Sequence, residues 1–339
     1  MGEVKRTTYF DILNIVACIM VVALHCHGSF FEFSHTLGWT ETLIVQVVAH
    51  AAVPVFYMLS GATLMEYRSR YGTKVYFKSR LTRVVVPFYI WSIIYLFIYN
   101  AQGIYVIEGA RKVISDVLGN QVVGIFWFFT PLFGIYLCIP VLSLLAKFEY
   151  LEIFKYISIA SFIVISVVPC IEMIASIKLL PVSFPIGSSY LMYPVLGYYL
   201  SKKKLKKHTR LCIYILGIIA ALFMGIYTYY MSVAAGDANT TLQSYEMAPT
   251  YLMAMALFVF IKNLAFPERL SDKLKEIIKT IAGASFGIYL IHILLVDKFF
   301  TTFGGSVAAM ILGTVFIYMA CLMITLVIKK IPVLNKIMP

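Results

Sequence analysis

Three polar side chains, Asp11, Asn14 and His25, interrupt the apolar stretch from Tyr9 to His27 at spacings that can do chemistry. At about 100° per residue these three and Cys18 fall on one narrow helical stripe. Asn14 and His25 are eleven positions apart, about three turns and roughly 16 Å along the axis. A polar stripe is costly against lipid, so it faces other helices or a wet cavity. A neutral imidazole, with an ordinary pKa of about 6.5, can take a proton from a hydroxyl as that hydroxyl attacks a thioester. It can also carry an acyl group itself. His25 is the candidate for either role, and the competing reading is an interhelical hydrogen-bond partner. His27 and His35, close to the end of the span, read as solvated.

Other polar positions repeat the pattern more weakly. His50 follows Gln46 by four residues, a same-face pair that also suits a plain helix–helix bond. His292 stacks with Ser285 and Tyr289 on nearly one face of a late helix. Trp127, near a span end, can stack on a sugar ring or anchor the chain at the interface. The six cysteines have no paired spacing, which argues against a metal site or a disulfide framework. Cys26 stands out only as the neighbour of His25.

The elements that must hold these residues are membrane helices. Apolar residues make up 61% of 339 positions and charged residues 13%, too apolar for a soluble fold of this length. Ten stretches are long enough to cross a hydrocarbon core of about 30 Å. They cover 8–27, 41–65, 84–100, 125–146, 152–171, 184–200, 211–231, 249–266, 280–300 and 306–328. The first reads as a retained helix, since no small-residue cleavage site follows it.

With the N-terminus inside, 24 of the 28 Lys and Arg residues fall in cytoplasmic segments, and Arg111, Lys112, Lys178 and Lys298 fall outside. That asymmetry predicts both ends in the cytoplasm. It also explains the net charge of +12 without nucleic acid, with anionic lipid headgroups as a secondary attraction. The reading is an all-α polytopic protein with a single transmembrane domain over 1–339. The outside connections 28–40 and 232–248 carry no Lys or Arg and are placed to cover an external site. No pair of broken helices repeats between the halves, which weighs against a transporter.

Several motifs, in order, carry a family resemblance. They are the first helix with its terminal His25; Val53-Pro54-Val55-Phe56-Tyr57-Met58-Leu59-Ser60-Gly61; and the basic Arg80 and Arg83 before Pro87. Trp127-Phe128-Phe129 with Tyr136-Leu137-Cys138-Ile139-Pro140 follows, and Ser285-Phe286-Gly287-Ile288-Tyr289-Leu290-Ile291-His292 closes the set. Over nearly its full length the chain resembles the acyltransferase-3 family of bacterial membrane acyltransferases.

The resemblance implies ten helices and a plasma (inner) membrane location. It also implies an acyl-CoA co-substrate on the cytoplasmic side, with acetyl as the default acyl group and no metal. The acceptor is a hydroxyl of a cell-surface or lipid-linked carbohydrate, and His25 is catalytic. Arg80 and Arg83, three apart on a helical turn, then present guanidinium forks to the donor's phosphates, although a basic cytoplasmic loop follows from topology alone. The Lys202 to Lys207 run reads as a solvated loop facing lipid headgroups.

The chain departs from the family pattern at Asn14, where an Arg is usual eleven residues before the His. An amide can bond a carbonyl or headgroup but supplies no fixed charge. Asp11, one turn earlier, is a candidate orienting partner. A non-enzymatic carrier of a glycan or small solute on the same fold is the alternative reading.

Overall fold

The computed structural model describes residues 7–26, 28–179, 182–187, 189–264, 269–303 and 306–339. Helices dominate, and no strand occurs among the described residues. A backbone without water must satisfy its amides and carbonyls within the segment, and long runs of Leu, Ile, Val and Phe allow nothing else in hydrocarbon.

The helices are α1 (Thr8–His25), α2 (Leu37–Ala49), α3 (Ala52–Leu64), α4 (Thr73–Arg80), α5 (Val86–Ala101), α6 (Ala110–Leu118) and α7 (Phe129–Leu142). They continue with α8 (Leu151–Ser161), α9 (Val168–Ala175), α10 (Met192–Lys202), α11 (Lys207–Ala235), α12 (Ala248–Lys262), α13 (Asp272–Phe303) and α14 (Val307–Lys330). Several join end to end, and among the described residues eight of the resulting helices are long and apolar enough to cross a membrane. The other two expected spans are short: α10 has 11 residues and α12 has 15, roughly 16 and 22 Å. Both are largely buried in the bundle, where protein rather than lipid surrounds them. Turns at Pro185–Gly187 and Ser189–Leu191 take up the length that 184–200 was expected to give to one helix.

Prolines explain the local breaks. Pro54 has no N–H for the carbonyl of His50, and the expected span 41–65 divides at His50 and Ala51 into α2 and α3. Pro87 likewise deprives Arg83, and the chain answers with a π-helical stretch, Leu81–Val85. Pro169 does the same for Phe162–Val167. Inside α7, Pro140 leaves the Tyr136 carbonyl without its amide, and the Tyr76 hydroxyl donates to that carbonyl at 3.0 Å.

Contacts set the direction of each helix. Asn14 donates to the Ala282 carbonyl at 3.1 Å, the Cys18 thiol meets the Ser285 carbonyl at 3.8 Å, and the His25 and His292 rings lie 5.1 Å apart. Helices α1 and α13 therefore run side by side in the same sense. Asp11 and Asn14 share a cavity with Ser60 and Thr63, so α3 ends where α1 begins; that face is called the first end. The Lys329 amine donates to the Gly283 carbonyl at 2.8 Å, which returns α14 to the same end.

Two glycines allow the tightest packing. A Cβ on Gly61 would stand 1.9 Å from the Pro194 oxygen, and one on Gly197 would stand 2.1 Å from the Met58 oxygen. Backbone meets backbone at both points, so neither side can yield. Beyond α5, the Lys112 amine and the Tyr105 hydroxyl both donate to Asp116 at 2.7 Å, and together they hold its carboxyl below the ordinary carboxylate range.

Gly61→Ala and Gly197→Ala are each expected to cost about 1–3 kcal/mol through overpacking and to lower the midpoint of thermal unfolding in detergent. Gly134→Ala, whose Cβ would meet nothing within 4 Å, is the control. Equal midpoints for all three variants would refute the close α3–α10 contact.

Candidate active site

Two adjoining cavities lie along α1. The first, of about 300 Å³, is lined by Phe10, Asp11, Asn14, Phe56, Leu59, Ser60, Thr63, Leu64, Arg80 and Tyr136. The second, of about 190 Å³, shares Asn14, Phe56, Ser60 and Tyr136 and continues past Phe128 and Phe129 to Ser285, Phe286 and Tyr289. The shared walls make one path from the first end toward the middle of the bundle. Its polar groups sit on helices rather than loops, most of them between apolar neighbours in sequence.

At the first end, Arg80 closes α4. Its guanidinium carbon lies 5.7 Å from the Tyr136 ring centroid and Nη2 donates to the Ser79 hydroxyl at 3.1 Å. Nε is buried with no hydrogen-bond partner among the described residues. A guanidinium so held can accept an anion in the cavity. Arg83 lies in the π-helical stretch, is exposed and is not among the cavity walls. The wider turn imposed by Pro87 separates the two arginines that α-helical spacing would have stacked.

The stripe on α1 is spread along the path. Asp11 is buried at 6% exposure and lines the first cavity with Arg80, fourteen positions and roughly 21 Å from His25. Asn14 stands where the cavities join, with its amide given to Ala282. The structure brings neither of them to His25.

His25 meets His292 instead. His292 is fully buried, and its Nδ1 lies 2.7 Å from the Tyr289 carbonyl and 3.2 Å from that of Ile288. Tyr289, one turn before it, is a wall of the second cavity and donates its hydroxyl to the Ile125 carbonyl. The Ser285 hydroxyl is buried without a partner among the described residues.

The other end of the bundle carries an aromatic cluster. His50 stacks on Tyr245 with centroids 4.3 Å apart and planes 6° apart, and Trp127 lies 5.1 Å from the other ring of that pair, Tyr245, at 27°. Gln46 donates to Gln243 at 2.7 Å, two residues before Tyr245, and Tyr193 donates its hydroxyl to the Tyr245 carbonyl. His50 and Gln46 thus do share a face, and both serve to seat the segment 243–245. Trp127 remains 36% exposed. Ring contacts run from Trp127 through Tyr190, Tyr57, Phe128 and Tyr289 to His292. His35 is exposed, and His27 lies outside the described residues.

Tyr190 falls inside the expected span 184–200 and Tyr245 in the connection 232–248, and neither spacing nor residue type along the chain marks them as part of a site. Ser60 and Tyr136 enter the sequence reading only as parts of motifs. Their register against Asn14, helical spacing on facing elements, is visible only once α1, α3 and α7 are packed.

This fold and site define a class: a multi-pass helical membrane protein with a narrow internal path that reaches Tyr289, one helical turn before His292. The chain belongs to the acyltransferase-3 family, whose sequence model, described as an acyltransferase domain, matches residues 7–329. It is a membrane acyltransferase by that membership. No curated protein and no solved structure matches the chain.

If the cavities form one path, Ser60→Cys reacts with a water-soluble maleimide added at the first end, in a Cys138→Ser, Cys212→Ser background. A cysteine at the fully buried Ala17 stays unmodified. Protection of Cys at position 60 from both sides would sink the path.

Proposed function

We propose that this protein transfers an acyl group, acetyl by default, from acyl-CoA in the cytoplasm to a sugar hydroxyl at the outer face of a bacterial plasma membrane. The acceptor is a cell-surface or lipid-linked carbohydrate. The single observation that carries this reading is the path that starts beside Arg80 and runs past Ser285 to Tyr289, which is one turn from His292, the ring neighbour of His25. The fold, taken as ten membrane helices with the first end and both termini cytoplasmic, agrees with the Lys and Arg asymmetry.

In this reaction Arg80 binds donor phosphate at the first end, with Arg83 as a second cation at the entrance. Asn14 carries no charge and its amide is committed to a carbonyl, so the anion-binding duty that the family pattern gives to a first-helix Arg falls to Arg80. The thioester lies along the aromatic walls, where water is excluded. His25 takes the proton of the acceptor hydroxyl as its oxygen attacks, a contribution of about 10² to 10⁴ in rate. Trp127, backed by Tyr245, offers its exposed face to the sugar ring. Asp11 is assigned the entrance beside Arg80 rather than a role at the imidazole.

The test is mass spectrometry of ester-linked acyl groups on surface glycans, from cells with the intact protein, no protein, or His25→Ala at matched expression. Loss of the groups in the last two, with the glycan still at the surface, supports the enzyme. Persistence in both leaves a carrier as the better reading. In purified protein, Arg80→Met raises the donor KM more than Arg83→Met does, whereas Trp127→Ala raises the acceptor KM and spares the donor's. A donor KM unchanged in Arg80→Met would remove that residue from the donor site.

A further inference from the structure

We propose that His292 is a positioning residue for His25: it accepts the N–H of the His25 ring and so fixes which His25 nitrogen carries the lone pair that acts as base. The inference rests on the acyl-transfer reading and assigns a second side chain to its proton step. Both neighbours of His292 Nδ1 are carbonyl oxygens, of Tyr289 at 2.7 Å and Ile288 at 3.2 Å. Carbonyls only accept, so Nδ1 carries the hydrogen and Nε2 of the neutral ring carries the lone pair.

That tautomer is built in by the helix. The carbonyls belong to the residues three and four positions earlier on α13, so the ring donates back along its own helix. The lone pair on Nε2 is then an obligatory acceptor. It is fully buried and has no partner among the described residues. A buried acceptor of this kind is left for a donor that arrives.

The His25 ring is 5.1 Å away, centroid to centroid, at an interplanar angle of 46°. That separation is about what one N–H···N bond between two imidazoles spans, so a small rotation of the less buried His25 completes it. Once made, the bond holds the His25 hydrogen on the nitrogen facing His292 and leaves the lone pair on the other ring nitrogen. This is the orienting task that a buried carboxylate performs in hydrolytic triads, done here by a neutral acceptor that does not add a charge to the membrane interior.

In the transfer itself the acceptor O–H bond breaks toward His25, the new C–O bond forms and the C–S bond breaks. The thiolate leaves with the electron pair and receives the proton from His25. His292 gains and loses no proton over the cycle; it steadies the imidazolium's orientation through the N–H it accepts.

Two substitutions of similar size separate this role from packing. In His292→Asn the side-chain amide can replace Nδ1–H toward the Tyr289 carbonyl but presents nothing at the Nε2 position. In His292→Gln the amide oxygen can stand in for Nε2. The proposal expects kcat to fall about 10²-fold or more in His292→Asn, with the donor KM unchanged, and His292→Gln to stay within about tenfold of the intact protein.

A merely structural His292 expects the reverse order, with Asn active and Gln impaired, and that order overturns the proposal. So does a loss confined to the amount of folded protein in both variants. His25→Ala is assayed alongside. If it stays active, the acyl-transfer reading fails at His25 and the positioning role goes with it. If it is inactive while His292→Asn is fully active, only the His292 role is lost.

Discussion

The candidate site depends first on polar side chains of α1 finding partners on α13. In hydrocarbon an unmatched amide, thiol or imidazole has no water to turn to. Asn14, Cys18 and His25 are met in turn by the Ala282 carbonyl, the Ser285 carbonyl and the His292 ring. Three matches at helical spacing fix direction, rotation and register together, because a slip of one residue turns the stripe by about 100° and unpairs all three. The cavities follow from this lock. Their walls on α1 and α13 include paired residues themselves, Asn14, Ala282 and Ser285, with Asp11, Phe286 and Tyr289 beside them.

The facing wall is held by a different force. Helix α3 supplies Phe56, Ser60 and Thr63 to the path while its other side presses on α10, where Gly61 and Gly197 let the backbones touch. Without a hydrophobic drive between helices in lipid, close van der Waals contact of this kind is a main source of association. It also explains how an 11-residue helix can belong to a membrane bundle. Helix α10 is fastened along its length by α3 and at its end by Lys262, whose amine donates to the carbonyls of Leu200, Ser201 and Lys203.

Much of this was legible along the chain, and the failures have causes. The stripe on α1 needed only a 100° step and the apolar run around it. The π-helical stretch at Leu81–Val85 follows from Pro87 lying four residues after Arg83, yet the arginine pair was read at α-helical spacing, and only one of the two reaches the cavity. The shape of one expected span was not legible: 184–200 is apolar enough but carries Pro185 and Pro194, and packing leaves it as turns followed by the short helix Met192–Lys202. The meeting of His25 with His292 could not be read at all, since each sits on a plausible helix 267 positions from the other and no local rule sets their register.

The walls between Tyr136 and Tyr289 bear on why a thioester held here would reach a sugar rather than water. Phe56, Phe128, Phe129, Leu132 and Phe286 surround a space of about 190 Å³ whose polar members include Asn14, Ser60 and Ser285. The Asn14 amide and the Ser60 hydroxyl already bond to carbonyls of Ala282 and Phe56. A water molecule needs two to four polar partners to be stable inside a protein, and few remain along this segment. An apolar acyl group loses nothing there. In the proposed reaction the competing nucleophile is thus kept away from the carbonyl by the poverty of hydrogen bonds in the path. At the opposite end of the bundle stand exposed Trp127 and its stacked partner Tyr245. In the proposed reaction donor and acceptor come from opposite ends, and that separation, with the apolar walls between, is what favours transfer over hydrolysis.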